Sequence, residues 1–215
     1  SKDGDSFVTD NEVVISFTNK TDTGLTVTGK VELDVDTNDP AGGGTTVNDE
    51  SVLSISGGFG TFRLGQEDPA DETFGIDEQD LIDEEGSGLV TSASLGSTSN
   101  LGLGGDANKI AYLTPKMGGF QAGYSIADSG TDGVTDTNAV GASYSMPIGG
   151  GSITVKYNQA TKDGTTDTDT TNMGVQLSMG AMTLIASSGT KEIAGDDDIE
   201  GNGFGIKYDM GGGMT

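Results

Sequence analysis

A dense run of carboxylates between residues 67 and 85 is the part of this sequence with the clearest chemical potential. Four apolar residues, Phe74, Ile76, Leu81 and Ile82, are interleaved with them. Hard oxygen ligands at this density attract cations and suit calcium in particular. The acidic residues of the run are Glu67, Asp68, Asp71, Glu72, Asp77, Glu78, Asp80, Asp83, Glu84 and Glu85.

The residues that are missing exclude most other chemistry. The chain has no Cys and no His, so it has no disulfides, no thiolate or imidazole metal ligands and no Ser–His or cysteine nucleophile. Carboxylate pairs alone could serve acid–base catalysis, but nothing in the spacing distinguishes one pair from the rest. We therefore expect no enzymatic activity.

Calcium is the single cofactor hypothesis that the carboxylates support. No run fits the spacing of an EF-hand loop, and no regular acidic glycine-rich nonapeptide is present. We keep the hypothesis of a calcium ion near Asp77, Asp80 and Asp83, with no other cofactor expected.

Composition and charge limit the fold and the partners. The chain of 215 residues carries 34 Asp and Glu against 10 Lys and Arg, for a net charge of −24. Such a polyanion repels nucleic acid, which we exclude as a partner. Hydrophobic residues make up 32% and glycines number 37, too little apolar material for a thick core. Disorder, a thin β architecture or a barrel with a wet interior remain.

Short segments of alternating apolar and polar residues, separated by turns, indicate antiparallel strands. In Leu25–Asp34, for example, Leu25, Val27, Val31 and Leu33 fall on one face and polar residues on the other. We predict about ten strands of roughly nine residues or fewer, close to the length that crosses a bilayer. Short turns, at 19–24, 57–60, 115–119, 147–151 and 179–181, alternate with longer connections, at 35–49, 67–106, 128–137, 161–170 and 191–202.

This rhythm of short and long connections is typical of an up-and-down transmembrane barrel. No stretch is a convincing apolar helix, so a membrane-spanning form of this chain must be a closed barrel. The alternative is a soluble extracellular β-rich adhesin or surface-layer protein. Apolar faces without charge, as in Phe120–Ile126 and Met173–Met179, favour the barrel, because an adhesin would tolerate charge there.

The longest connection, 67–106, holds the acidic run and is too long to be an ordinary turn. Its interleaved apolar residues suggest a loop that is pinned to a wall with its carboxylates facing water. It is either the constriction of a pore or a solvated external loop, since charge runs are commonly solvated surface.

Two hairpins give the sequence a family resemblance. The first is Gly57–Gly65 (GGFGTFRLG), which leads into the acidic run. The second joins Asn108–Tyr112 to Gly118–Ser125. In their order and spacing they resemble the Gram-negative general porin family, of the alphaproteobacterial type, over most of the chain. We expect residues 1–215 to be one β-barrel domain, and a fragment of a longer porin.

The resemblance implies an all-β, antiparallel, 16-stranded barrel in the outer membrane, in contact with membrane lipid and lipopolysaccharide, and usually a homotrimer. It implies passive diffusion of small hydrophilic solutes, with a constriction loop, loop 3 at 67–106, folded into the pore opposite a basic wall. The excess of acidic residues predicts a preference for cations. The basic residues with inward parity are Lys30, Arg63, Lys156 and Lys207.

Overall fold

The alternation of apolar and polar residues folds into one antiparallel sheet in which every strand pairs with its neighbours in sequence. A computed structural model of the chain describes residues 12–34, 47–76, 108–127 and 136–209. These residues form eleven strands, in the order β1 to β11, and one short helix. The strands are β1 (Glu12–Lys20), β2 (Thr26–Asp34), β3 (Val47–Gly57), β4 (Gly60–Gln66), β5 (Asn108–Leu113), β6 (Phe120–Ala127), β7 (Asp136–Ile148), β8 (Gly151–Asp163), β9 (Thr168–Met179), β10 (Met182–Ile193) and β11 (Ile199–Tyr208); the helix is α1 (Ala70–Thr73).

The sheet confirms the predicted all-β, up-and-down architecture. Two-residue turns connect β3 to β4, β7 to β8 and β9 to β10. In the β7–β8 turn, Gly149 and Gly150 take the positive φ angles of 39° and 92° that such a turn requires. Among the described residues, no helix has the length and apolar character of a membrane span.

Four strands extend further than predicted, into two of the predicted long connections. The sequence predicts connections of ten and twelve residues at 161–170 and 191–202, but β8 and β9 leave only 164–167 between them, and β10 and β11 leave only 194–198. Thr161 and Thr168 extend the β8–β9 ladder, because β-branched residues suit strands. Polar residues on both faces at these ends give no apolar alternation, so the period-two pattern could not reveal them. Strands β8 to β10 are consequently 12 or 13 residues long.

The sheet has two chemically different faces, which β8 illustrates. Ile153, Val155 and Tyr157 lie on what we call the apolar face, and Thr154 and Lys156 lie on the opposite, polar face. The same division holds across the sheet, because paired residues of neighbouring strands lie on the same face. Val155, for example, pairs with Tyr144 and Val175, both on the apolar face.

Large side chains of the apolar face are exposed rather than buried. Val155 is 43% exposed, Tyr144 45% and Phe204 71%. Apolar residues so exposed along many strands form a surface far larger than a soluble monomer presents. The buried residues lie instead on the polar face, where Ala139, Ala160 and Ile185 are almost inaccessible.

Substitution of adjacent residues on β8 tests whether the apolar face contacts hydrocarbon. We expect Val155→Arg to lower the free energy of unfolding by about 2–4 kcal/mol, the cost of arginine on a lipid-facing strand position. Thr154→Arg, the matched control, places the same charge on the polar face and loses one hydrogen bond to Ser145 of 2.8 Å, so it should cost about 1 kcal/mol or less. Urea titration in lipid vesicles measures both, and equal costs would contradict the assignment of the faces.

Candidate functional site

Residues 67–76, which follow β4, lie across the polar face of the sheet; we call them the docked segment. The segment includes α1, which contacts β6, β7 and β8. Its far end, Ile76, packs against Ile185 of β10. Ten residues therefore cross a wall of six strands, which only a chain lying flat on the sheet can do.

The segment begins at two basic residues of the wall. Arg63 of β4 forms an ion pair with the Glu67 carboxylate. Lys109 of β5, directly opposite Gly65 in the ladder, donates from Nζ to the Glu67 carbonyl oxygen. Glu67 and Lys109 are both 7% exposed, so this junction is shielded from bulk water.

Burial of Glu67 changes the pKa of its carboxyl group. Desolvation raises the pKa of the Glu67 carboxyl above its ordinary 4.5, because burial penalises the charged form. The positive charge of Arg63 opposes the shift, while Glu50 and Asp68 add to it.

The helix rests on small residues. Ala70 packs against Ala139 of β7 and Ala160 of β8, which face each other across the ladder. Methyl groups at these positions let the helix backbone approach the sheet closely. The Ala70 N–H, which has no partner within its own helix, donates to Ser125 Oγ of β6 at 2.8 Å.

Phe74 is the largest apolar group that the docked segment places on the wall. Its side chain is 2% exposed and lies over two glycines, Gly123 of β6 and Gly141 of β7. A methyl group added to the Gly141 backbone would lie 2.5 Å from Phe74 Cβ, and one on Gly123 would lie 2.6 Å from Phe74 Cε2. The ring fills a notch that exists only because both positions lack a side chain, and its burial contributes about 1.5–3 kcal/mol.

The end of the segment is held by polar and apolar contacts. Asn158 Nδ2 donates to the Phe74 carbonyl oxygen at 3.3 Å, and Lys156 Nζ donates to the Gly75 carbonyl oxygen at 2.6 Å. Ile76, which is 6% exposed, lies over a third glycine, Gly174 of β9.

The four described acidic residues of the predicted site divide into two pairs. Asp68 and Glu72 are exposed, whereas Glu67 and Asp71 are buried against the wall. The expectation that the carboxylates all face water is therefore wrong for Glu67 and Asp71. The other six predicted acidic residues lie outside the described residues: Asp77, Glu78, Asp80, Asp83, Glu84 and Glu85.

The calcium hypothesis, which falls on Asp77, Asp80 and Asp83, is likewise outside the described residues. Within the described part of the chain, no group of three or more acidic side chains is arranged to hold a metal ion.

The four predicted basic residues lie on the polar face but not in one cluster. Lys30 contacts Glu32 at 2.7 Å and also Glu50, both on the polar face. Arg63 and Lys156 hold the docked segment at its two ends. Lys207 lies on β11, opposite Thr183 and far along the sheet. Their role as the basic side of a constriction stays a prediction.

Sequence reasoning missed Lys109 and the three glycines beneath the segment. Lys109 has the same inward parity as Ala111 and Leu113, so its position on the polar face could have been read from the alternation. The glycines gave no signal among 37 in the chain, because only the approach of the segment distinguishes them.

Comparison with known proteins agrees with the fold described above. The anion-selective porin from Comamonas acidovorans has a similar fold, with a TM-score of 0.64 at 23% identity over 97% of this chain and 67% of that chain. A mutant of the Rh. blastica porin gives a TM-score of 0.53 at 18% identity, over 94% of this chain and 81% of that chain. OmpT, an outer membrane protein of Vibrio cholerae in its trimer form, gives a TM-score of 0.52 at 14% identity, over 98% of this chain and 80% of that chain. No curated protein sequence matches the chain.

At these identities the solved structures establish the fold alone, and the family rests on the sequence. A family model described as Gram-negative porin matches residues 1–215, the whole of the chain. Members of this family are in general channels rather than enzymes. With an exposed apolar face, a polar face crossed by a docked segment and a family match along its full length, this chain belongs to the Gram-negative porin family, whose channels lie in the outer membrane of Gram-negative bacteria.

Proposed function

We propose that the chain forms a water-filled channel for passive diffusion of small hydrophilic solutes, narrowed by the loop at 67–106. The observation that carries the proposal is the docked segment, which crosses the polar face from Glu67 to Ile76. In a barrel the polar face lines the lumen. As part of the proposal, the carboxylates that follow this segment in sequence lie in the path of solutes.

We propose further that the channel prefers cations. The similar Comamonas porin is described as anion-selective, but 23% identity transfers no selectivity, so this chain's own charges decide. Two of its lumen-facing cations are paired with carboxylates: Lys30 with Glu32 and Glu50, and Arg63 with Glu67. Because these positive charges are compensated locally, the excess of carboxylates in a net charge of −24 dominates the field that a diffusing ion experiences.

The predicted basic wall belongs to the same proposal. Arg63 lies at the root of the loop, and Lys30 lies two strands away on the same face. Positive wall charges opposite loop carboxylates would produce a transverse field across a narrow aqueous gap. Such a field orders water and favours polar solutes over apolar ones.

Assembly is the remaining part of the proposal. The Vibrio cholerae protein with a similar fold was solved in a trimer form. We propose a homotrimer for this chain, in contact with membrane lipid and lipopolysaccharide through its apolar face. No observation favours the alternative of a soluble adhesin, whose outer surface would not expose residues such as Phe204 and Ile206 to this extent.

Planar-bilayer recording tests the cation preference. In a potassium chloride gradient we expect wild-type channels to give a reversal potential of cationic sign. Replacement of Asp77, Glu78, Asp80 and Asp83 by their amides should move it towards zero, since these carboxylates attract the permeant cation. The effect should be larger in dilute salt, where the Debye length is longer.

The matched control removes the same four charges from exposed turns between strands. Asp167 lies in the β8–β9 turn, and Asp196, Asp197 and Asp198 lie in the β10–β11 turn. Their amide variants should leave the reversal potential nearly unchanged. An equal shift in both sets would show that the loop carboxylates hold no special position, and a wild-type protein without conductance would refute the channel.

The buried carboxylate of Glu67 predicts how the docked segment responds to pH. Its pKa is raised, so its net contribution to stability is complete below pH 4.5 and is lost as pH rises through the raised value. Glu67→Gln imitates the protonated form at every pH. We therefore expect the stability difference, variant minus wild type, to become more favourable to the variant between about pH 4 and pH 7.

Urea titrations of both proteins at the two pH values measure this difference. Glu200→Gln is the control, since it makes the same substitution at an exposed side chain of β11, which has no part in the Glu67 shift. A difference for Glu67→Gln that moves the opposite way would mean that the Arg63 ion pair outweighs the cost of burial.

A further inference from the structure

Two lysines of the lumen wall lie at the two ends of the docked segment, and each donates to a backbone carbonyl of that segment. Lys109 contacts the carbonyl oxygen of Glu67, and Lys156 contacts that of Gly75. Lys109 is 7% exposed and Lys156 is half-buried. Both ammonium groups are thus turned into the underside of the segment rather than towards open water.

Between these two lysines, Phe74 is the main apolar contact. Its ring occupies the notch over Gly123 and Gly141, and its carbonyl accepts from Asn158. The other apolar contacts are those of Ile76 with Gly174 and Ile185, and of Ala70 with Ala139 and Ala160. The polar wall offers few other surfaces to which an apolar side chain could attach.

We propose that the docked segment is a cover over Lys109 and Lys156, and that Phe74 is the positioning residue that keeps it closed. The inference rests on the proposed channel and deepens it, because one aromatic contact then sets both the width of the pore and its charge selectivity. When the segment lies on the wall, the lysine charges are withdrawn from the ion path. When it lifts, the two ammonium groups face the lumen.

Width and selectivity should therefore change together, in a defined direction. Loss of the cover enlarges the free cross-section, which raises conductance. It also exposes two ammonium groups along the ion path, which reduces attraction of cations. Simple neutralisation of loop carboxylates lowers cation preference without freeing the wall, so the paired change identifies undocking.

Phe74→Ala tests the proposal in planar bilayers with the whole chain. We expect the single-channel conductance to rise on the order of twofold, as the lumen widens, and the reversal potential to move towards the anionic side. Phe204→Ala is the matched control: the same truncation on the apolar face, where Phe204 is 71% exposed. It should change neither quantity.

Gly141→Val tests the same contact from the wall. The added side chain occupies the notch, where a methyl group alone would approach Phe74 Cβ to 2.5 Å. The sequence of the segment stays intact, and we expect the same paired change. The double variant Phe74→Ala with Gly141→Val refills the notch, so its conductance and reversal potential should return towards wild type. Non-additivity of this kind is the signature of two residues in contact.

The contribution of the two lysines to selectivity is tested in the Phe74→Ala variant, in which we expect the segment to be lifted from the wall. Adding Lys109→Gln and Lys156→Gln to Phe74→Ala should keep the raised conductance but restore much of the lost cation preference. If the reversal potential of the triple variant equals that of Phe74→Ala, the lysines are not what the segment covers.

The remaining outcomes are also decisive. Wild-type conductance in both Phe74→Ala and Gly141→Val would overturn the positioning role of Phe74. Raised conductance with an unchanged reversal potential would overturn the cover. Absence of any channel in the wild-type protein would instead refute the proposed function, so the two failures are distinguishable.

Discussion

Every second side chain of eleven neighbouring strands must face hydrocarbon while its neighbours face water, and this constraint decides where everything else in the described part of the molecule lies. Along β8, Val155 and Tyr157 face one way and Lys156 the other. A shift of one residue in register would exchange the faces. The apolar side chains are thus committed to lipid contact, and the inner side of the sheet is left without the hydrophobic core that a soluble protein would build there.

The lack of an inner core explains how the docked segment is attached. A polar wall gives an entering loop few large apolar surfaces, so the two largest apolar side chains of the segment attach where the wall has no side chain at all. Gly123 and Gly141 form one such place, and Gly174 forms another. Glycine in a strand lowers its stability, but here it admits Phe74 and Ile76 to the backbone of the sheet. The same device occurs on the apolar face, where the ring of Phe17 lies over Gly29.

Periodicity predicted the strands of this fold because period-two alternation is local. It located the face of Lys30, Arg63 and Lys156 from their neighbours alone, and it applies equally to Lys109. It failed at Thr168–Thr170, where both faces are polar and alternation carries no information. It could not predict the notch under Phe74, since Phe74 and Gly141 meet only through a contact between residues 67 apart. The apolar anchors of the acidic run did predict a loop pinned to a wall, but not which carboxylates are buried beneath it.

The docked segment connects the two properties that a channel must set, its width and its charge. A lysine on a lumen wall is an anion site when its ammonium group faces the water, and it is a structural donor when a carbonyl covers it. Lys109 and Lys156 are of the second kind. The chain has only ten basic residues, so diverting two of them to hold a loop changes the balance of charge that faces the lumen considerably. A sheet with the same lysines but no docked segment would present a different field to the same ions. The selectivity of such a channel is therefore a property of how the loop is seated, as much as of which charged residues the chain contains.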